Sequence, residues 1–498
     1  MLTEFHISGT SRRHVPRLKA KMQPLNDSCR LSRREFFTTA AGGIGGLALA
    51  ALLADEASGR EAHSPLAPRP PHFPARAGKC IFFFLSGGTS QLDLFDPKPQ
   101  INKLAGQPMP ESLLKEARFA FIQKDSARIL PTPRTFSRHG QSGLEFCDLL
   151  PHLAGCADDI CMVRSMHTGP FNHHPATIML NSGFERMGRP TIGSWLLYGL
   201  GNESKNLPGY VVLEPGPGIR GGATNWSCGF LPSLYGATQF HLQGDAVKNL
   251  SNPAGISADA QRRTLETIAE LNEHRFRHLN DPEVAARVAS YELAFRMQSA
   301  APELIDLHGE DQKTLEDYGV GRKGIAGDFS RSTLLARRLV ERGTRFVQIF
   351  MDGWDHHGGI DGGLKSNCEV VDRPIAALIA DLKRRGLLDS TLVVWGTEFG
   401  RTPLGDNRIG MTAVTGRDHH PGAFTIWMAG GGVRGGYIHG ETDEIGWSIV
   451  RDPVHINDFH ATLLHLFGLN HEALTYRFEG RDFRLTDVAG RVVKELLA

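Results

Sequence analysis

The chain has 498 residues, 41% of them hydrophobic and 22% charged, and a formal net charge of +1. That length supports a large core, and the near-zero charge leaves no electrostatic footprint for nucleic acid. The charges are spread rather than massed, so function has to be sought in local clusters of acids, histidines and glycines.

At the N-terminus, Ser32-Arg33-Arg34-Glu35-Phe36-Phe37 precedes an uncharged run rich in Ala, Gly and Leu over residues 38–53. This is the pattern of a twin-arginine export signal. Its Gly-rich core is shorter than the ~20 residues a spanning helix needs. Residues 1–57 are therefore read as a cleaved leader, and the mature chain as periplasmic or extracellular with no membrane attachment. Residues 58–78 read as a Pro/Ala/His linker, with ordered structure expected over 79–498. Of seven cysteines, Cys29 leaves with the leader and the other six contain no Cys-x-x-Cys pair. An exported chain meets oxidising conditions; Cys156 and Cys161 are nearest in sequence, and the pairing stays open.

Residues 79–85 (KCIFFFL) form a continuous apolar run, as in a central strand covered on both faces. Gly87 and Gly88 follow, then Asp93 and Asp96. Asp96 precedes Pro97 and reads as a turn former, whereas Asp93 is a candidate metal ligand. Residues 160–164 predict a second strand, leading to His167, His173 and His174 ahead of a helical stretch. Residues 200–255 are rich in Gly, Pro, Asn and Ser and read as an irregular insert, with one short strand at 209–213. Residues 258–277 and 282–300 have helical period and solvated faces.

The next strand, residues 345–350 (RFVQIF), runs straight into Met351-Asp352-Gly353-Trp354-Asp355-His356-His357-Gly358-Gly359. Ligands in open α/β sheets sit at the carboxyl ends of strands. Asp355 and His357 offer oxygen and nitrogen donors that suit a divalent metal such as zinc. A crossover helix at 368–385 feeds a strand at 391–395, and the two strands are read as one βαβ unit. Then come Thr397-Glu398-Phe399-Gly400-Arg401-Thr402-Pro403 and Gly416-Arg417-Asp418-His419-His420-Pro421, the latter before an apolar run at 423–428. Three such clusters beside three strands predict one site assembled from distant pieces. The glycines at 430–436 lack the following helix of a dinucleotide fingerprint. Residues 455–468 predict an amphipathic helix whose histidines pack or cap.

In order, Leu85-Ser86-Gly87-Gly88 with Asp93 to Pro97, the Gly353–His357 cluster, the Thr397–Pro403 cluster, Gly416 to His419 and Ala429 to Gly432 resemble an uncharacterised sulfatase-like family of twin-arginine-exported proteins in the alkaline-phosphatase superfamily. The resemblance spans nearly all of residues 79–490. It implies an α/β fold: a doubly wound, mostly parallel sheet with helices on both faces. It implies a metal held by Asp355, His357 and His419, zinc before calcium or magnesium, and a second metal on Asp93 and Glu398. Here Ser86 replaces an expected acid, Glu398-Phe399 replaces Asp-His, and His173 stands at the nucleophile position. The implied activity is hydrolysis of phosphate or sulfate esters by metal-activated water, with His173 as general acid or base and Arg401 on the anion's oxygens. Thr168, Thr89 and Ser90 are outlying hydroxyl candidates. The implied substrate is a small anionic ester or a sulfated glycan. The alternative is a non-catalytic, metal-stabilised binding protein whose second half-site has degenerated.

Overall fold

The computed structural model describes residues 65–498 except 115–121, 243, 253–254, 280–281 and 411–412. The leader and residues 58–64 lie outside the described residues. Residues from Ser64 onward form one compact unit.

Its centre is a nine-stranded sheet. In chain order the strands needed here are β1 (Lys79–Leu85), β2 (Ile160–His167), β3 (Tyr210–Leu213), β4 (Thr238–Phe240), β5 (Phe346–Met351), β6 (Thr391–Gly396), β7 (Gly400–Gly405), β8 (Arg417–His420), β9 (Phe424–Ala429), β10 (Tyr437–His439) and β11 (Val454–His455). The sheet runs β10-β2-β9-β6-β1-β5-β3-β4, with β11 also on β2, while β7 and β8 make a separate antiparallel pair. All neighbours in the large sheet are parallel except β9, which runs against both β2 and β6. The expected mixed α/β class with a mostly parallel sheet is what the chain forms.

The run KCIFFFL works as a period-2 strand buried twice. Ile81, Phe83 and Leu85 pack on one face with α3 (Ile325–Glu341) and α4 (Ile360–Arg384), and Cys80, Phe82 and Phe84 on the other. That second face is covered by α1 (His173–Ser182), α2 (Ile192–Leu200) and α5 (Ile456–Leu466). Side chains alternating across the pleat therefore fill two cores. Among the described residues no helix is long and apolar enough to cross a membrane.

The structure changes or sharpens four expectations. The linker is partly docked: Arg69, Arg76 and Ala77 donate backbone N–H groups to Leu200 and Leu466 carbonyls, so order begins before Lys79. The Gly/Pro-rich insert contributes two strands, β3 and β4, because short Val- and Phe-containing pieces complete the sheet edge. Strands β5 and β6 are parallel, as the βαβ reading requires, with β1 inserted between them and paired with both. The six described cysteines are free thiols, and burial pushes Cys147, Cys156 and Cys161 up to about 12. The histidines near the C-terminus behave as expected: His455 caps α5 in a capping box, and His460 is buried against the Leu180 carbonyl.

Candidate metal centre

Strand β5 ends at Met351, and the chain turns through Gly353 so that Asp355 and His357 stand at the carboxyl edge of the sheet. The turn presses against Gly87, where a Cβ would sit 2.4 Å from the Asp355 nitrogen at a φ of +123°. Only glycine fits there. Gly416 meets the same limit, with a Cβ position 2.1 Å from the His357 carbonyl carbon. These contacts bring the start of β8, and with it His419, onto the Asp355 loop. His173, the first residue of α1, arrives from the opposite face of the sheet.

Donor atoms of His173, Asp355, His357 and His419 all lie within 4.8 Å of one another. Asp355 is central: Oδ1 is 2.8 Å from His357 Nε2 and 3.3 Å from His419 Nε2, and Oδ2 is 3.2 Å from His173 Nε2. Each imidazole is held at its other nitrogen. His173 Nδ1 donates to Glu398 Oε1 at 2.7 Å, His357 Nδ1 to Asp406 Oδ2 at 2.7 Å, and His419 Nδ1 to the Phe171 carbonyl at 2.7 Å. Acceptors at Nδ1 fix the tautomer that turns the Nε2 lone pair inward, the arrangement that orients metal-binding histidines.

The electrostatics agree. Burial opposes charge on Asp355, but its three imidazoles and Arg401 outweigh that and hold the carboxyl far below its usual range. Burial also opposes charge on His173, yet Asp355 and Glu398 raise it to about 9. His419 goes the other way, lowered by burial and by the positive charge of Arg401 and the neighbouring histidines. One carboxylate cannot hold three imidazolium ions: His173 and His357, each with two acidic partners, are both raised, whereas His419, with Asp355 alone, is lowered. A centre that draws protons in this way draws a divalent cation for the same reason.

The residues fit a metal on geometry too. His173 Nε2 is buried and makes no well-aligned hydrogen bond; its nearest acceptor is Asp355 Oδ2 at 3.2 Å, inside the donor group. Tetrahedral donors ~2.1 Å from zinc stand ~3.4 Å apart; Asp355 Oδ2 is 3.2 Å from His173, and its Oδ1 is 3.3 Å from His419 and a shorter 2.8 Å from His357.

Four residues expected at the site take other parts. Asp93 is 2% exposed and bound to Arg417, with Nε 2.9 Å from Oδ2, while Ser90 Oγ donates to it at 2.5 Å. Its charge is spent inside the fold, away from the donor group, and Ser90 is occupied as well. Glu398 is fully buried, holds His173 and accepts from the Gly87 nitrogen at 2.9 Å, so it orients a donor and is not one. Arg401 is fully buried and donates to the carbonyls of Gly87, Gly88 and Arg417 and, at 2.7 Å, to Asp355 Oδ1. It neutralises Asp355 and presents no fork to an anion. His173 Nδ1 is committed to Glu398 and its Nε2 points into the donor group, so the structure places it as a fourth donor beside Asp355 rather than apart from the centre. Asp96 is the turn residue it was read as, paired with Lys98 at 3.1 Å.

Asp406 and the Phe171 carbonyl were not anticipated. Asp406 lies in a polar loop between β7 and β8 with no motif around it, and a main-chain carbonyl has no sequence signature.

The family described as protein of unknown function (DUF1501) matches residues 77–497. This chain is a DUF1501 protein. No curated protein matches it in sequence. Among solved structures, this DUF1501 protein is similar to the phosphonate monoester hydrolase SpPMH from Silicibacter pomeroyi (13% identity, 84% of this chain and 76% of that one, TM-score 0.34). It is also similar to a protein in the alkaline phosphatase superfamily from Vibrio parahaemolyticus (11%, 82% and 71%, TM-score 0.34). A third is the PsFucS1 sulfatase from Pseudoalteromonas sp. (10%, 80% and 69%, TM-score 0.33).

Proposed function

We propose that this DUF1501 protein is an exported, metal-dependent hydrolase of phosphate or sulfate esters. One observation carries the reading: three oriented imidazole nitrogens and one carboxylate converge at the carboxyl edge of a mostly parallel sheet, where substrates of open α/β folds bind. The donors come in the order that the motif resemblance implies, with His173 added. Three nitrogens and one oxygen suit zinc, whereas calcium and magnesium prefer oxygen alone.

His173, Asp355, His357 and His419 would hold the ion, and when bound it supplies Lewis acidity that polarises an ester oxygen and acidifies water. The protein's part is to keep that centre rigid and reachable. Glu398, Asp406 and the Phe171 carbonyl lock the three imidazoles. Arg401 balances the Asp355 charge from below. The side chains of Asp355 and His357 stay 24% and 20% exposed, so one side of the centre faces solvent.

A specific observation favours the alternative as well. With His173 the donors number four, the count of a closed structural site, as in a non-catalytic metal-stabilised binding protein. Two measurements decide. Elemental analysis should find about one zinc per chain, absent from Asp355→Ala. Zinc-loaded protein should then hydrolyse aryl phosphate or aryl sulfate, lose turnover on chelation and recover it on zinc addition. Full metal content with no turnover on either ester class, and a purely four-coordinate visible spectrum after cobalt substitution, would establish the binding-protein reading. Export belongs to the same proposal: Arg33→Lys with Arg34→Lys should retain the chain in the cytoplasm, and undiminished export would refute the leader.

A further inference from the structure

Arg401 was expected to meet the substrate anion, and the fold has buried it. Arg408 and Arg417 are committed as well, to Asp406, Asp418 and Asp93. A positive charge free to meet a ligand stands elsewhere on the same edge of the sheet. Strand β3 pairs with β5 in parallel, Leu213 opposite Ile349, so the chain leaves β3 at the edge where β5 delivers Asp355. It then runs through Glu214-Pro215-Gly216-Pro217-Gly218-Ile219-Arg220-Gly221-Gly222 to Trp226. Arg220 is exposed, and among the described residues its guanidinium meets no carboxylate and makes no hydrogen bond.

Three contacts fix where this loop lies. The Trp226 ring packs on Phe350, on the strand that leads to Asp355, at 5.2 Å between centroids. Gly221, at a φ of +88°, presses on His174: a Cβ there would sit 2.8 Å from His174 Nε2. His174 follows His173 on α1, so the loop rests on the residue beside a donor. Asn225 is fully buried and donates from Nδ2 to the Arg220 carbonyl at 2.9 Å and to the Gly222 carbonyl at 3.1 Å. The main chain of Arg220 is therefore held while its side chain is left uncommitted. Successive residues of a helix point about 100° apart. With His173 turned to the donor group, His174 and the loop upon it stand to one side of the centre. A group bound at the metal and a group bound at Arg220 are thus two separate groups.

We propose that Arg220 receives a second anionic group of the substrate, a further phosphate or sulfate on the molecule whose reacting ester lies at the metal. An unpaired guanidinium fork suits such a group. The inference rests on the hydrolase reading for the place of the reacting ester, and it narrows the substrates to polyanionic esters. A polysulfated sugar chain and a small bisphosphate are the two sources of that chemistry.

The test is titration calorimetry of a heparin hexasaccharide, fructose 1,6-bisphosphate and inorganic sulfate against the zinc-loaded full chain, Arg220→Gln and Arg220→Lys. Arg262→Gln, on the solvated helix Ala258–Leu279, is the control for general surface charge. Zinc content is measured for each protein and should not change. Whichever polyanion binds the parent names the source, and its affinity should fall roughly tenfold in Arg220→Gln. Arg220→Lys, which keeps the charge and loses the fork, should lose less. Inorganic sulfate should bind all four proteins alike, and Arg262→Gln should match the parent throughout. Equal polyanion affinity in Arg220→Gln and the parent overturns the proposal, as does a parent that binds neither polyanion. An equal fall for inorganic sulfate, an equal fall in Arg262→Gln, or loss of zinc from Arg220→Gln overturns it too. Polyanion binding through Arg220 without hydrolysis of any ester would sink the hydrolase reading and leave the recognition of a polyanion standing.

Discussion

Asp355 and Asp93 are both carboxylates beyond the carboxyl ends of central strands, and each is paired with a fully buried arginine. Their fates differ because of what else reaches them. Asp93 is sealed at 2% exposure, with Arg417 and Ser90 filling its oxygens. Asp355 keeps a side chain 24% exposed and adds three imidazole nitrogens to Arg401. An acid saturated by a guanidinium is part of the scaffold. An acid ringed by oriented imidazoles and open on one side has the donor set that could hold a cation.

Exchanging the two acids is the most forceful way to break this comparison. Asp93→Ala leaves Arg417 buried without its counter-ion and should cost about 3–5 kcal/mol of stability, with zinc content unchanged; denaturant unfolding with metal analysis checks both. Asp355→Ala should instead abolish zinc binding. If Asp93→Ala lost zinc while keeping its fold, the division between scaffold and centre would be wrong.

The acids behind the histidines sharpen the comparison further. Glu398→Gln and Asp406→Asn should each weaken zinc affinity by roughly 10- to 100-fold, measured by competition with a chromophoric chelator, because His173 and His357 lose the partners that aim them.

The pH dependence follows from His173, raised from its usual 6.5 to about 9 in the metal-free fold. A raised value means that protonation stabilises the folded state, fully below pH 6.5 and progressively less as pH climbs through about 9. Metal-free protein should therefore melt at lower temperature as pH rises across that window. Zinc displaces the same proton, so its apparent affinity should keep rising to about pH 9. A flat affinity profile across that window would exclude His173 from the donor group.

The smallest effect is expected far from the centre. His455→Ala removes a helix cap at α5 and should cost about 1 kcal/mol without altering zinc content, whereas a His455 that served the metal would change it.

The primary sequence was sufficient for the class of fold and for the core of the centre. Continuous apolar runs such as residues 79–85 and 345–350 announce strands buried on both faces, because no other placement hides every side chain. Asp355, His357 and His419 were legible because each follows or precedes such a strand in a short run of polar and glycine residues. Tertiary structure decided which charges are spent. Whether Arg401 meets a ligand or a ring of carbonyls, and whether Asp93 meets a metal or Arg417, depends on partners between 16 and 324 residues away. Asp406 reaches His357 across 49 residues from a loop with no pattern of its own. Hydrogen-bond capacity is filled by whatever the fold brings within about 3 Å, and that proximity is written in no local stretch of the chain.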